Sequence, residues 1–394
     1  MKISTLALSI TAAVLAQQAF ADDFGLGSLG TGNGHSGFLE DSHAAISSRT
    51  MYYSADNHSG TNNDLRETAT ALRFDYKSGF THGTVVLGLD VMACGALRLD
   101  GGDGHTAGAG LSGNGNSFFP TKNNGTEPAD SFGRAAGNVK FRVSQTELHV
   151  GGGLAPVLPI LVSNDSRVAP QTFDGGILTS NDIPNVTFTG GELNRAEGRA
   201  SSNSTGLSVA GGTRDSDSFK FGGVDYKPFG SSDNVIAKNL PLQYYYAQLQ
   251  DFYKQNYFGL VHVLPLGNDQ SFKTDLRYAD SSKEGNSNID NQAFGAKFTY
   301  SLHGHSLGAA YQRMKGTTGF PHLDGTDSYL VNYVMISPDF ANPEEKSWQA
   351  RYDYDFAAIG IPGLTLMPRY PKGDNFPPTG PLEGPHGARH ADPR

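Results

Sequence analysis

Residues 347–356 read SWQARYDYDF. Every second residue from Trp348 is apolar or aromatic: Trp348, Ala350, Tyr352, Tyr354 and Phe356. The residues between them, Gln349, Arg351, Asp353 and Asp355, are polar or charged. A period of two belongs to a strand and not to a helix. The alternation recurs in Leu72, Phe74 and Tyr76 against Arg73, Asp75 and Lys77. It recurs again in Phe272, Leu276 and Tyr278 against Lys273, Asp275 and Arg277, and in Phe294, Phe298 and Tyr300 against Lys297 and Thr299. In a soluble sheet the apolar face would pack into a core and the charged face would meet water. In an outer-membrane barrel the apolar face would meet lipid and the charged face an aqueous lumen, with strands of about 9 to 11 residues. The pattern alone is compatible with both.

The N-terminal residues narrow the choice. Lys2 precedes an apolar run from Ile3 to Leu15, and Ala19 and Ala21 form an A-x-A cleavage signal. Residues 1–21 therefore read as a secretory signal peptide, with Asp22 the first mature residue. The run is too short to cross a bilayer as a helix, and no later stretch reaches the required length of about 18 apolar residues. Glycine supplies 50 of 394 residues, nearly twice the usual share of about 7%, and Phe and Tyr are abundant at 23 and 17. Cys94 is the single cysteine and cannot form an internal disulfide; it reads as a small buried or lipid-facing residue. An exported β-rich chain of this kind can be stabilised instead by closing its hydrogen-bonded sheet into a barrel. The net charge of −9, with basic residues scattered singly, argues against nucleic-acid binding.

The spacing predicts about fifteen strands, near 43–55, 67–79, 82–99, 136–145, 146–152, 184–195, 204–213, 217–229, 240–250, 254–264, 269–280, 291–302, 304–315, 345–356 and 362–371. Short junctions near 79, 145, 252 and 304 alternate with long ones near 100–135, 152–183 and 316–344, as short periplasmic turns alternate with long outer loops in barrels. Bacterial single-chain barrels have an even strand number, so fifteen leaves one or more strands unaccounted for. Beyond Tyr370 the alternation stops, and residues 371–394 are rich in Pro and Gly, which predicts a non-barrel tail. Two origins fit that tail: a natural disordered extension, or an altered reading frame after about Asn375 that replaced the last strands.

Several longer segments resemble the OprD family of substrate-specific outer-membrane porins. They are GFLEDSHAAISSRTMYY (37–53), FDYKSGFTHGTVVLGLDV (74–91), SRVAPQTFDGGILTSNDI (166–183), GTTGFPHLDGTDSYLVNYV (316–334) and FANPEEKSWQARYDYDFAAIGIPGLTLMPRY (340–370). The resemblance implies an all-β, antiparallel transmembrane barrel of 18 strands over residues 22–370, with a long third loop near 152–183 folded into the pore. It makes the tail the place where three strands are missing. It also implies uptake of small carboxylate-bearing solutes, aromatic and other organic acids being favoured by GTDSYLVNYV and basic amino acids or peptides being the alternative. Arg forks suit such solutes because they pair with carboxylates in two-point geometry. By the same resemblance Arg167 stands in the inward loop and Arg66 precedes the second strand as a lumen residue. Arg49 and Arg73 are wall residues, and Asp324 and Asp327 lie in the loop opposing the third; Arg351, on the charged phase of its own strand, is expected to face the lumen. Ala55 stands where the family has a basic residue, and a basic pair of the family's last strands is absent, so a complete basic ladder is not expected.

GHSLG (304–308) fits G-x-S-x-G, which would make Ser306 the nucleophile of a secreted serine hydrolase. That elbow needs a buried strand before it and a helix after it, whereas here period-two strands flank His303-Gly304, as in a hairpin. GGDGHTAGAG (101–110) has no lysine and no following helix, so it reads as an outer loop. The twelve histidines form no metal-binding motif. The expectation is therefore a non-enzymatic porin without cofactor or metal, in the outer membrane of a Gram-negative bacterium. Its expected partners are outer-membrane lipid, the barrel-assembly machinery and small carboxylate solutes, and it is expected to be a monomer or weak trimer.

Overall fold

The computed structural model describes residues 37–55, 65–101, 118–122, 127–212, 214–238, 240–267, 269–334, 340–376 and 387–390. The signal peptide, the glycine-rich segment 102–110 and most of the expected tail lie outside them. The chain falls into two compact units. The first comprises the described residues up to Ser180 together with Gly190–Phe219 and Leu323–Asp327; the second comprises Asn181–Thr189, Lys220–His322 and the described residues from Ser328 on.

The strands in chain order are β1 (His43–Ala55), β2 (Leu65–Lys77), β3 (Val86–Asp100), β4 (Thr121–Lys122), β5 (Glu127–Pro128), β6 (Ser131–Val143), β7 (Thr146–Leu154), β8 (Val157–Leu158), β9 (Leu161–Val162), β10 (Thr172–Ser180) and β11 (Val186–Glu197). There follow β12 (Ser204–Thr205), β13 (Phe219–Tyr226), β14 (Leu242–Leu249), β15 (Tyr253–Gly267), β16 (Gln270–Lys283), β17 (Asp290–Leu302), β18 (His305–Lys315), β19 (Lys346–Asp355), β20 (Thr365–Leu366), β21 (Arg369–Phe376) and β22 (Gly387–His390). Among the described residues helix is confined to a single turn, α1 (Val235–Lys238), and a 3-10 turn, Phe356–Ile359.

In the first unit each long strand pairs antiparallel with the next: β1 with β2, β2 with β3, β3 with β6, β6 with β7 and β7 with β10. In the second unit the meander runs from β14 through β15, β16, β17, β18 and β19 to β21, with β22 on the far edge of β21.

The two faces of these sheets answer the question posed by the alternation. In β19 Trp348 is 43% exposed while Gln349 is 3% exposed; in β2 Leu72 is 61% exposed while Arg73 is 7% exposed. Ile46, Phe74, Phe258, Phe294, Tyr311 and Leu307 are exposed, and Gln255, Asn291, Gln312 and Ser347 are buried. Apolar side chains thus face outward, and polar ones face the side on which the connecting segments pack. A water-soluble sheet would have the opposite arrangement; a sheet whose outer face meets lipid has this one.

The structure corrects the sequence expectations at several elements. The inward segment is shorter than 152–183: β7 runs to Leu154, and Thr172–Ser180 returns to the wall as β10. Gly175-Gly176 removes two side chains from the alternation, and a bulge between Phe173 and Gly175 shifts the register, so β10 carries little pattern. Residues 204–212, the described part of the expected strand 204–213, do not form it. After Ser204–Thr205 they make only isolated bridges, Leu207 with Ser216 and Val209 with Leu323. The tail boundary also moves: β21 extends to Phe376 through Pro371, and β22 lies within the Pro- and Gly-rich segment. Pro371 pairs with Gln349 on one side, and the register with β22 begins only at Lys372. A residue without an N–H is tolerated where a strand is paired on one side.

Candidate functional site

The inward segment of the first unit, residues 155–171, is seated on the inner face of β1–β3 and β6. Val168 and Ala169 join a buried cluster with Ala69, Ala71, Met92, Cys94, Ala96 and Phe132, flanked by Phe118 and Phe119. Three alanines on the wall leave the space that the segment fills. Phe119 meets Phe132 edge-on at 5.5 Å between ring centres, and Tyr53 meets Phe118 in the same way at 6.1 Å. The amide of Phe118 donates to the carboxylate of the buried Glu67 at 2.6 Å, which ties the outer segment before β4 to β2.

Polar contacts hold the segment on its other side. Arg49 of β1 places a two-point fork on Asp165, Nη1 to Oδ1 at 2.8 Å and Nη2 to Oδ2 at 2.9 Å. Its Nη1 also donates to the carbonyls of Asp165 and Arg167, at 3.0 and 2.5 Å. Arg199 donates to Asn164 Oδ1 at 3.1 Å and to the hydroxyl of Ser166. Asn164 donates to Asp327 Oδ1 at 2.7 Å, and the amide of Asp327 donates to the Val162 carbonyl at 3.0 Å. Gln171 donates to the Asp324 carbonyl at 2.9 Å. Asp324 and Asp327 are thus joined to the inward segment directly, not merely set opposite it.

Arg167 donates to the Ser166 carbonyl at 3.1 Å, and its guanidinium lies over the rings of Tyr53 and Phe118 at 5.5 and 5.8 Å. Arg73 is paired with Asp75, Nε to Oδ2 at 2.8 Å. Arg351, in the second unit, is paired with Asp353, Nη2 to Oδ1 at 2.6 Å. The lumen expectation for Arg66 is not met. It lies inside β2, and the strand's period of two places it on the exposed face with Leu72 and Phe74. Ser306 is the second residue of β18, with its hydroxyl 2.7 Å from that of Ser301 on the paired strand, so GHSLG is a hairpin and not a strand-to-helix elbow. His305 turns to the Tyr352 hydroxyl at 2.6 Å.

Three inner-face pairs share one form, an arginine and an aspartate two residues apart on the same strand face: Arg73 with Asp75, Asp275 with Arg277, and Arg351 with Asp353. In the second unit the inner face carries a basic row. Arg351 stands directly across from Arg369, and beyond β18, two strands from β19, β17 contributes Lys297, whose cross-strand partner on β16 is Asp275. No carboxylate lies within ion-pairing distance of Lys297 among the described residues. Arg277 stacks on the Tyr329 ring at 4.0 Å.

Sequence comparison agrees with this architecture. The family described as outer membrane porin, OprD family, matches residues 36–393. The chain belongs to the OprD family of outer-membrane porins. The match runs through the segment that the sequence pattern set apart as a tail. The porin-like protein GalP of Pseudomonas putida is 34% identical over 345 residues, 86% of this chain and 80% of GalP. The crystal structure of Pseudomonas aeruginosa OpdQ matches with a TM-score of 0.75 and 39% identity, covering 89% of this chain and 86% of that one. Pseudomonas aeruginosa OccK2 (OpdF), solved in complex with glucuronate, matches with a TM-score of 0.75 and 32% identity over 89% of this chain and 85% of that one. The protein is an antiparallel transmembrane β-barrel of the Gram-negative outer membrane, and its relatives are channels, not enzymes.

Sequence reasoning set Arg277 and Lys297 on the charged face without singling them out as site residues, and it missed Arg134 and Arg369 as inner-face cations of this porin. Lys297 and Arg277 were legible, since each stands on the polar phase of its strand. Arg134 was not, because Gly133, Ala135, Ala136 and Gly137 around it blank the alternation. It is buried, donates to the Gly198 carbonyl at 2.6 Å, and keeps Nε and Nη2 without hydrogen-bond partners among the described residues.

Proposed function

We propose that this porin passes small solutes bearing a carboxylate, organic acids foremost, by diffusion along the basic inner face. The observation that carries the reading is the row of Lys297, Arg351 and Arg369 across β17, β19 and β21. Among the described residues no acid is ion-paired with Lys297, and Arg351 spends part of its fork on Asp353. A carboxylate moving along such a row exchanges one cation for the next, and each contact is weak enough to release it. The glucuronate held by OccK2 is a solute of this chemistry.

A second reading, passage of basic amino acids, draws on the same aspartates. Asp275 and Asp353 alternate with the cations and would meet an ammonium group. Liposome swelling separates the two. Faster entry of glucuronate than of glucose, with little entry of arginine, supports the organic-acid reading. Equal rates for glucuronate and glucose would overturn it, and preferential entry of arginine would favour the second.

A further inference from the structure

At one end of the second unit the connecting turns differ in chemistry. The turn at Asp269, the hairpin tip His303-Gly304 and the segment 356–364 lie side by side there. The His303 amide donates to the Asp269 carbonyl at 3.4 Å, and the Asp355 amide donates to the Gly304 carbonyl at 2.9 Å. Short turns mark the periplasmic end in barrels of this class. The first two turns are polar: His303 and Asp269 are exposed, with Nδ1 and Oδ2 3.6 Å apart. The third is apolar. From residue 356 to 368 the sequence has no charge, and Thr365 supplies its one polar side chain. Ile359 is 62% exposed, and Ile361, Leu364 and Leu366 are exposed as well.

The segment bonds its own backbone. Asp355 Oδ1 accepts from the Ala357 amide at 2.9 Å, and the amides of Gly360 and Ile361 donate to the Ala357 and Phe356 carbonyls, each at 3.0 Å. The Phe356 amide closes the loop on the Leu364 carbonyl, also at 3.0 Å. Gly360 and Gly363 supply the left-handed turns, with φ of 87° and 86°. The segment leans on the neighbouring hairpin, since a Cβ at Gly304 would lie 2.7 Å from Ala358 Cβ. Polar backbone groups are thus used within the turn, and apolar side chains stay on its surface. Such a surface suits the boundary between headgroups and acyl chains better than water.

This surface is continuous with the lipid-facing wall. Tyr354 shares the outward phase of β19 with Trp348, and Phe356 meets its ring edge-on at 4.8 Å between centres. Leu366 is the cross-strand partner of Tyr354. On β18 the His305 ring lies 4.5 Å from that of Tyr354. Rings with a polar tip gather where a bilayer meets water.

We infer that segment 356–366 is a lipid-docking foot. It lies in the periplasmic leaflet, with Ile359, Ile361 and Leu364 at the headgroup–acyl boundary of the phospholipid, while the turns at Asp269 and His303 stay in water. The foot fixes the depth of this side of the wall. The inference does not depend on which solute the pore passes.

The test is fluorescence of the full chain in phospholipid vesicles. Trp348 is the single tryptophan, so W348F gives a dark background for I359W, L364W or H303W. I359W and L364W should emit at shorter wavelength than H303W, and lipid brominated near the carbonyl end of its chains should quench them at least about twofold more strongly. Emission of both at the wavelength of H303W, without quenching by brominated lipid, would overturn the inference and leave the segment to a soluble periplasmic partner. Short-wavelength emission that brominated lipid leaves unchanged, and that reddens as the protein is diluted with lipid, would overturn it in favour of a second copy. Equal bromine quenching at all three positions would also overturn it, because the whole rim would then be immersed.

Discussion

Arg49 on the first wall strand and Asp165 at the middle of the inward segment form a two-point ion pair, with N–O distances of 2.8 and 2.9 Å. Both side chains are about four-fifths buried. The pair uses both terminal nitrogens of Arg49, and the carbonyls of Asp165 and Arg167 take what remains of Nη1. Arg49 is therefore an anchor for the segment and not a free receptor for solute.

Removing that anchor should loosen the segment without unfolding the wall. Charge-assisted hydrogen bonds of this kind contribute about 1.5–3 kcal/mol each before relaxation. R49Q and D165N are each expected to raise open-channel conductance and current noise, and the double variant should do no more than either alone. Additive effects in the double variant would show that the two residues act separately.

The Arg351–Asp353 pair sets the charge of the basic row. D353N removes one negative charge and frees the Arg351 fork, so the reversal potential in a KCl gradient should move toward anion selectivity. R351Q should move it the other way. Shifts of the same sign in both variants would contradict an electrostatic role for the pair.

Gly88 is a packing requirement of the wall. A methyl there would come within 2.8 Å of Lys140 Cε and 3.0 Å of the Gly79 carbonyl. G88A is expected to cost about 1–3 kcal/mol, the usual range for overpacking, measured by denaturant unfolding in detergent. A variant as stable as wild type would show that Lys140 shifts freely.

Asp130, in the segment before β6, accepts from Arg98 at 2.5 Å and from Lys122 at 3.2 Å. These hydrogen bonds hold its carboxyl below the usual carboxylate range, that of Arg98 contributing most. The folded state thus favours the ionised form. The contact is fully present above the ordinary aspartate pKa and is lost as pH falls through the lowered one. Carbon-13 NMR of labelled aspartate, with D130N for assignment, should show a midpoint below that of a free aspartate. A midpoint at or above it would contradict the contact.

How far the sequence carried the account depends on where side chains mark the two faces. β1 was expected at 43–55 and lies at His43–Ala55; Ile46 and Tyr52 stand on one phase and Ser47 and Arg49 on the other, although Met51 and Tyr53 share the phase of Arg49. β10 was folded into the inward loop because Gly175-Gly176 carries no phase. Arg66 was set in the lumen by resemblance, although its own phase with Leu72 and Phe74 placed it outside. The contacts of Arg49 with Asp165 and of Asn164 with Asp327 span more than 100 residues and leave no local pattern. Pro371 was read as ending the sheet by a rule that assumes a neighbour on both sides, and among the described residues it pairs on one.

The central claim is a pore whose basic inner face handles carboxylates, and the most direct measurement is planar-bilayer conductance of the purified protein with and without benzoate. The account predicts discrete steps that benzoate interrupts, with interruptions shortened in K297Q. Steps that benzoate leaves unchanged, or interruptions that persist in full in K297Q, would contradict it.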